Sequence, residues 1–186
     1  MELPPVMIRA VRGVREDIHE YLAKRIPDAR WVFDDRGDAT ETFFEALELA
    51  GDGACIQMED DVFLTARWHE KVAAQIEAQP DELLQFFSRR KDDIDTGSRR
   101  DKYFSYLCCV YLPPGMAADI LKYGREWGRW DEHPTGWDTM IDDYLREMKI
   151  RHWICIPSLV QHAAEPSLLG RRSSRRQSPT FVEPWT

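Results

Sequence analysis

The sequence predicts an α/β fold, a single Rossmann-like domain whose mostly parallel central sheet is flanked by helices. Short apolar runs typical of buried strands alternate with longer segments in which apolar residues recur at helical spacing. Such an alternation favours parallel strands that are joined by crossover helices. The length of 186 residues suits one compact domain with a sizeable core.

The first third of the chain is predicted to run strand, helix, strand, helix, strand. Pro27 ends the first helix, and Asp38 with Glu41 three residues later forms a capping box at the start of the second. In order, the predicted elements are a strand over 5–11, a helix with Val14, Ile18, Leu22 and Ile26 on one face, a strand over 30–33, a helix with Phe43, Leu47 and Ala50 on one face, and a strand over 54–58.

The rest of the chain continues the alternation. Residues 89–102 contain almost nothing apolar and are predicted to form a mobile loop, either a solvated connection or a lid. The tryptophans of 127–137 either fill a small core or stack on a sugar. The predicted elements are a helix with Trp68, Val72, Ala73 and Ile76 on one face, a strand over 83–88, a strand over 103–112, a helix with Met116, Ile120 and Tyr123, a helix that Asp138 opens, and a strand over 152–156.

Composition and charge exclude several classes of protein. The net charge of −8 disfavours wholesale binding to nucleic acid, although a local basic patch would still permit it. No apolar run is long enough for a membrane span, and the N-terminal residues lack the basic and apolar regions of a signal peptide. The four cysteines show no Cys/His spacing typical of zinc, which predicts reduced thiols in a cytoplasmic protein.

Glu59, Asp60 and Asp61 directly follow the third predicted strand. Three adjacent carboxylates repel one another, and a bound cation removes that cost. Hard divalent ions prefer oxygen ligands of this kind, often together with substrate phosphates. Asp34 and Asp35 end the preceding strand, and ligands in open α/β sheets bind beyond these carboxyl ends. The pattern therefore predicts a metal and phosphate site, with a solvated acidic turn as the alternative.

Three short motifs in this order resemble glycosyltransferases of the GT-A fold. They are the strand and E-D-D sequence of 56–62, the Gly-Trp-Asp of 136–138, and the Pro-Ser-Leu-Val-Gln-His of 157–162 followed by Ser167. The variant of this motif with a leading Glu is similar to that of the lipooligosaccharide and collagen galactosyltransferase family and of small phage-type glycosyltransferases. The sequence reads E-D-D rather than a strict D-x-D, so which carboxylate binds the metal stays open.

The resemblance implies a role for each matching residue. Asp61 would bind a divalent cation, Mn²⁺ or Mg²⁺, with Asp60 or Glu59 near the ribose and the metal. His162 would be the second protein ligand, and its alternative is a satisfied core histidine. Asp138 would be the general base that takes the proton from the acceptor hydroxyl.

The resemblance also implies a donor site at the carboxyl edge of the sheet. A GT-A-like catalytic domain over 1–169 is expected to carry it, and a basic flexible tail over 170–186 is expected to close on it. Asp142, one turn on from Asp138, is the like charge expected to raise the pKa of the base. The residues assigned to nucleotide and diphosphate are Arg9, Arg12, Asp34, Asp35, Glu59, Asp60, Arg171 and Arg172.

The implied activity is transfer of a sugar from a nucleoside-diphosphate sugar, with a UDP-sugar favoured, to an acceptor hydroxyl. The transfer would depend on metal and invert the sugar configuration, and the acceptor is a modified DNA base, a protein hydroxyl or a glycan. Two other functions fit the same acids. One is a metal-dependent phosphohydrolase or nuclease, which usually needs two metals. The other is a non-catalytic module that binds a nucleotide or a partner.

Overall fold

The computed structural model describes residues 2–99, 103–163 and 176–185 and contains one mixed sheet, helices on both of its faces and a separate two-stranded ladder. The helices are α1 Glu16–Arg25, α2 Ala39–Ala50, α3 Trp68–Ala78, α4 Met116–Glu126 and α5 Trp137–Glu147. The strands are β1 Val6–Ala10, β2 Arg30–Phe33, β3 Cys55–Glu59, β4 Val62–Leu64, β5 Leu83–Gln85, β6 Gly97–Arg99, β7 Cys109–Leu112, β8 His152–Ile154 and β9 Val160–His162.

The main sheet has the order β2-β1-β3-β7-β5-β8-β6. Strand β7 is antiparallel to β3 and β5, and β6 is antiparallel to β8, while the other three pairings are parallel. The remaining strands of the sheet therefore point the same way, so their carboxyl ends lie at one edge. The predicted α/β, Rossmann-like class with a mostly parallel sheet is confirmed.

Two hydrophobic cores cover the two faces of the sheet. Ile56 and Met58 of β3 pack in one core with residues of α1 and α3, whereas Cys55 packs in the other with residues of α2, α4 and α5. Successive side chains of a strand point to opposite faces, so a strand buried on both faces reads as a continuous apolar run. This burial explains why β3 is mostly apolar until Glu59, where the strand ends. Its one polar side chain before Glu59, that of Gln57, is buried and donates to the carbonyl of Ala46.

Three predicted segments differ from the structure. The strand predicted over 103–112 begins only at Cys109, because 103–106 form no strand and Leu107-Cys108 is a turn. The segment predicted as the loop 89–102 contains β6, which pairs with β8. The strand predicted over 83–88 ends at Gln85. In addition, residues 62–64, for which no strand is predicted, form β4, which pairs with β9 in the separate ladder.

Asp38 caps α2 as predicted, since its side chain accepts hydrogen bonds from the backbone N–H groups of Thr40 and Glu41. The predicted capping box is incomplete, because the N–H of Asp38 donates to Asp34 and the Glu41 side chain binds Arg125. The C-terminal residues that the structure describes, 176–185, lie against the domain. Ser178 Oγ donates to Ser158 Oγ at 2.8 Å, and Thr65 forms a β-bridge with Pro184. None of the helices in the described part of the chain is long and apolar enough to cross a membrane.

Candidate active site

The ladder between β4 and β9 joins the acid triplet to the late histidine. Its register pairs Val62 with His162, and the N–H of Ala163 donates to the carbonyl of Asp61 at 2.6 Å. These pairings bring His162 Nε2 to 3.4 Å from Asp61 Oδ2, and both side chains are 9% exposed. The two residues predicted as metal ligands therefore lie side by side in a buried position.

The hydrogen bonding of His162 leaves Nε2 as the ring atom that faces the acids. Its Nδ1 contacts the backbone carbonyl oxygen of Ala163. A carbonyl oxygen only accepts hydrogen bonds, so Nδ1 carries the hydrogen, and in neutral imidazole Nε2 then holds a lone pair. That lone pair faces Asp61 Oδ2, and Asp61 Oδ1 is buried without a hydrogen-bond partner. A proton or a cation between the two groups would remove this repulsion.

Arg15 is a positive charge within the acid triplet that the sequence analysis did not identify. Its Nη1 lies 2.8 Å from Asp60 Oδ1 and 3.0 Å from Asp61 Oδ2, and its side chain is only 8% exposed. Arg15 has φ of +59° at the start of α1, an unusual conformation for a residue other than glycine. His19 Nε2 lies 2.8 Å from Asp60 Oδ2. Asp60 is therefore held by α1, which leaves Asp61 and Glu59 as the acids nearer to His162.

Replacing Arg15 by Gln is expected to destabilise the protein by roughly 3–5 kcal/mol, because Asp60 and Asp61 would lose the guanidinium that neutralises them. Adding Mn²⁺ is expected to restore part of this loss in the variant. Urea denaturation with and without Mn²⁺ measures both effects. Arg12→Gln is the matched control, because Arg12 and its partner Asp35 are 63% and 60% exposed, and such pairs contribute at most about 1 kcal/mol. Equal losses in the two variants would contradict this role of Arg15.

Glu59, Cys108 and His162 form a group of possible metal ligands. One ligand atom from each residue lies within 4.8 Å of the other two, and this is the one such group of three or more His, Cys, Asp or Glu side chains among the described residues. The register of β3 and β7 pairs Met58 with Cys109, and the N–H of Glu59 donates to the carbonyl of Cys108 at 2.9 Å. Asp61 contacts His162 but does not belong to this group.

Asp138, the predicted base, lies in the first turn of α5 and accepts two backbone hydrogen bonds. The N–H groups of Tyr106 and Leu107 donate to Oδ2 at 3.1 Å and to Oδ1 at 3.0 Å. Burial, followed by the negative charge of Glu59, raises the pKa of Asp138 from 3.8 to about 6. The like charge that acts on Asp138 is thus Glu59, and the expectation that Asp142 would provide it is wrong. Asp142 instead forms an ion pair with Arg146 at 2.9 Å.

The same physical cause acts on Asp61 and on Cys108. Burial, followed by the charge of Glu59, raises the pKa of Asp61 to about 6, although His162 and Arg15 act against this shift. Burial also raises the pKa of the Cys108 thiol well above its ordinary value, with further contributions from Glu59 and Asp61. Positive charge is therefore favoured at this position, because every one of these groups is less easily ionised than in water.

The raised pKa of Asp138 predicts how stability depends on pH. The folded pKa of about 6 lies above the ordinary 3.8, so the stabilisation is complete below the ordinary pKa and is lost as the pH rises through about 6. Between about pH 4 and pH 7, wild type is expected to lose stability relative to Asp138→Asn, because the amide does not ionise. Urea denaturation of both proteins across this range measures the difference. A constant difference would show that Asp138 titrates at its ordinary pKa.

The other residues assigned to the donor site have contacts of their own. Arg9 is buried, donates to the carbonyl of Leu107 at 3.2 Å and lies 3.9 Å from Glu59. Arg12 pairs with Asp35 on the surface. Asp34 Oδ1 accepts from the backbone N–H groups of residues 36 and 38, which makes it part of the turn before α2. Ser167, Arg171 and Arg172 lie outside the described residues.

Three residues of the site were missed by the sequence analysis, namely Arg15, His19 and Cys108. Arg15 directly precedes α1, and His19 lies within it. The sequence pattern of this helix indicates its apolar face and gives no role to these two polar residues. Cys108 lies in the strand predicted over 103–112, and a cysteine in a buried strand is usually an ordinary core residue. The spacing of Arg15 and His19, four residues apart at a helix start, is the one signal that would have indicated a shared ligand.

No protein-family model matches this sequence, and none of the curated proteins matches it. Among solved structures, the chain is similar to the CTP:phosphocholine cytidylyltransferase of Streptococcus pneumoniae, with 12% identity, a TM-score of 0.48, and coverage of 86% of this chain and 73% of that chain. It is also similar to a glycosyltransferase involved in the glycosylation of the major capsid of PBCV-1, with 11% identity, a TM-score of 0.44, and coverage of 88% and 95%. Similarities this distant assign neither a family nor an activity to the chain.

Proposed function

We propose that this protein is a nucleotide-sugar-dependent glycosyltransferase that requires a divalent cation, Mn²⁺ or Mg²⁺. The substrate class is a nucleoside-diphosphate sugar, with a UDP-sugar favoured, and an acceptor hydroxyl on a modified DNA base, a protein or a glycan. The proposal combines the resemblance of the three motifs with the arrangement of their residues at one edge of the sheet.

The observation that supports this proposal most is the contact between His162 and Asp61. His162 Nε2 and Asp61 Oδ2 lie 3.4 Å apart, and among the described residues the second carboxylate oxygen, Oδ1, is buried without a partner. A buried acid normally has hydrogen-bond partners for both oxygens. A carboxylate oxygen without a partner and an imidazole nitrogen next to the same carboxylate are groups that can both donate electron pairs to a cation.

Glu59, Asp61 and His162 are the residues that would hold the cation. A bound divalent cation supplies positive charge that stabilises the negative charge of a departing nucleoside diphosphate. Arg9 lies beside Glu59 and balances part of the local negative charge. Asp138 is the residue proposed to accept the proton of the acceptor hydroxyl at a carboxylate oxygen, because a pKa of about 6 places an effective base near neutral pH. Inversion of the sugar follows if the acceptor attacks directly.

A phosphohydrolase or nuclease is the second candidate from the same acids. Enzymes of this class commonly hold two metals about 4 Å apart, which needs more converging carboxylates than one cation does. The described residues contain one group of three possible ligands, and Asp60 is occupied by Arg15 and His19. This small number of available ligands favours a site for a single cation. A single-cation site in turn favours the transferase over the phosphohydrolase or nuclease.

A screen of donors by mass spectrometry tests the proposed function. The protein is incubated with a panel of nucleoside-diphosphate sugars and Mn²⁺, and in parallel with generic phosphodiesters. Consumption of one sugar donor, its loss with EDTA and its return with Mn²⁺ are expected. Consumption of phosphodiesters alone would favour the phosphohydrolase. If Mn²⁺ with UDP or any other nucleoside diphosphate fails to raise the melting temperature and no donor is consumed, the non-catalytic module is favoured instead.

A further inference from the structure

We propose that Cys108 is a third ligand at the cation site, so that the site binds thiophilic divalent ions such as Zn²⁺ and Co²⁺ through sulfur. A ligand atom of Cys108 lies within 4.8 Å of ligand atoms of both Glu59 and His162. Glutamate oxygen, cysteine sulfur and histidine nitrogen are the three donor types that zinc takes from proteins. None of the three sequence motifs includes Cys108, which comes close to Glu59 and His162 only in the folded chain.

The fold positions Cys108 in this place through Asp138 and Arg9. Cys108 follows a turn whose N–H groups donate to Asp138 and whose carbonyl, that of Leu107, accepts from Arg9. Tyr106 in this turn has φ of +70°, a conformation that residues other than glycine adopt at a cost. Cys108 then faces Glu59, since the register of β7 against β3 continues by one residue beyond the pair of Cys109 and Met58. Residues opposite one another in an antiparallel pair project to the same face of the sheet.

The surroundings of the group are those of a metal site rather than of a structural thiol. His162 Nδ1 contacts a backbone carbonyl, and histidine ligands commonly donate their second ring nitrogen to such a carbonyl, which directs Nε2 at the metal. Among the described residues Asp61 Oδ1 is buried without a hydrogen-bond partner, and Asp61 Oδ2 lies 3.4 Å from His162 Nε2. By contrast, Cys109 lies opposite Met58 rather than Glu59, and its pKa is raised by burial and by the neighbouring Cys155 thiol.

For a thiophilic ion the three protein ligands would be Glu59, Cys108 and His162, with Asp61 outside this set as the neighbour of His162. Three protein ligands leave one position of a tetrahedral ion open, which is the pattern of zinc sites that act on a substrate. We expect an oxygen of the donor diphosphate to occupy the open fourth position. Only this part of the inference rests on the proposed function. On binding, the Cys108 thiol releases its proton to solvent and its sulfur forms the bond to the metal, without any transfer of electrons. Sulfur is a poor ligand for Mg²⁺ and Mn²⁺, so these hard ions would bind through the oxygen and nitrogen atoms alone.

Absorption spectroscopy of the Co²⁺ complex tests this ligand directly, because a thiolate bound to Co²⁺ gives an intense charge-transfer band that oxygen and nitrogen ligands do not. Wild type titrated with Co²⁺ is expected to show the band. Cys108→Ala is expected to lose it and to bind Zn²⁺ at least about tenfold more weakly, since even residues that only orient a ligand contribute 10–100-fold. Its affinity for Mn²⁺ is expected to change little.

Cys109→Ala is the matched control, because it removes an equally buried thiol from the next residue. It is expected to keep both the band and the affinity for Zn²⁺. Co²⁺ binding without a charge-transfer band in wild type, or a band that survives in Cys108→Ala, would overturn the inference while leaving the transferase intact. A band in wild type without consumption of any sugar donor would leave the inference intact and overturn the transferase. Absence of binding by Co²⁺, Zn²⁺ and Mn²⁺ would overturn the cation site itself.

Discussion

Replacing His162 by Gln is expected to abolish the binding of divalent cations. His162 contacts Asp61 and also belongs to the group with Glu59 and Cys108, so its loss removes a ligand whichever of these acids binds the ion. Wild type at a cation concentration 100 times the Kd is expected to gain about 2.7 kcal/mol of stability, and the variant is expected to gain none. Urea denaturation with and without Mn²⁺ measures this difference, and transfer activity is expected to fall with it.

His133→Gln provides the control for this change. His133 lies in the loop before α5 and contacts Arg129, so its replacement removes a histidine without altering the cation site. Its stabilisation by Mn²⁺ is expected to equal that of wild type. If His162→Gln were stabilised by Mn²⁺ as much as wild type, the ion would bind elsewhere and the proposed site would be wrong. If His162→Gln were less stable than wild type without Mn²⁺ but gained the same stability from Mn²⁺, His162 would have a structural role and would not be a ligand.

Replacing Asp138 by Asn is expected to lower kcat by roughly 10²–10⁴-fold, because an amide cannot accept the proton of the acceptor hydroxyl. Binding of Mn²⁺ and of UDP is expected to persist, since Asp138 is not in the ligand group. Single-turnover measurements with the donor found by mass spectrometry give the rate, and calorimetry gives the two affinities. The expected pattern is a loss in kcat with an unchanged donor affinity.

The loss must be separated from the structural role of Asp138, whose carboxylate accepts the N–H groups of Tyr106 and Leu107. Asp142→Asn is the matched control. Asp142 lies one turn later in α5 and accepts the N–H of Phe104 at 2.6 Å, so it anchors the same segment. Activity close to wild type is expected for this variant. Similar losses of kcat in both variants would mean that both act by holding the segment, and Asp138 would then not be the base.

The alternation of strands and helices could be predicted from the sequence because it depends on local periodicity. Strand β2 matches its predicted range of 30–33, and most of the apolar residues predicted for α1 and α3 lie in the core. The exceptions are Val14, which precedes α1, and Ala73, and both are half-buried. The extent of other strands depends on pairing partners that periodicity does not contain. Residues 103–108 are apolar and aromatic enough for a strand, but Asp138 and Asp142 bind the N–H groups that a neighbouring strand would need.

The site was predictable where a strand ends in consecutive acids and not where distant segments meet. The acids of 59–61 and His162 were identified from motifs, and β4 and β9 bring Asp61 and His162 together. Arg15 could not be identified in the same way, because its spacing of four residues from His19 is common on helices and does not by itself indicate contact with the acids. Cys108 reaches Glu59 through the antiparallel pairing of β7 with β3, although parallel neighbours were expected there. The raised pKa of Asp138 likewise depends on Glu59, which is distant along the chain.

The pairing of β4 with β9 has a consequence for synthesis of the chain. Translation releases the acids of 59–61 long before Val160–His162 emerges from the ribosome, and α1, which carries their arginine, precedes both. A nascent chain can therefore neutralise Asp60 and Asp61 with Arg15 from the outset, but it has no imidazole to complete the site. Such a chain is expected to lack the proposed cation site until β9 has docked against β4.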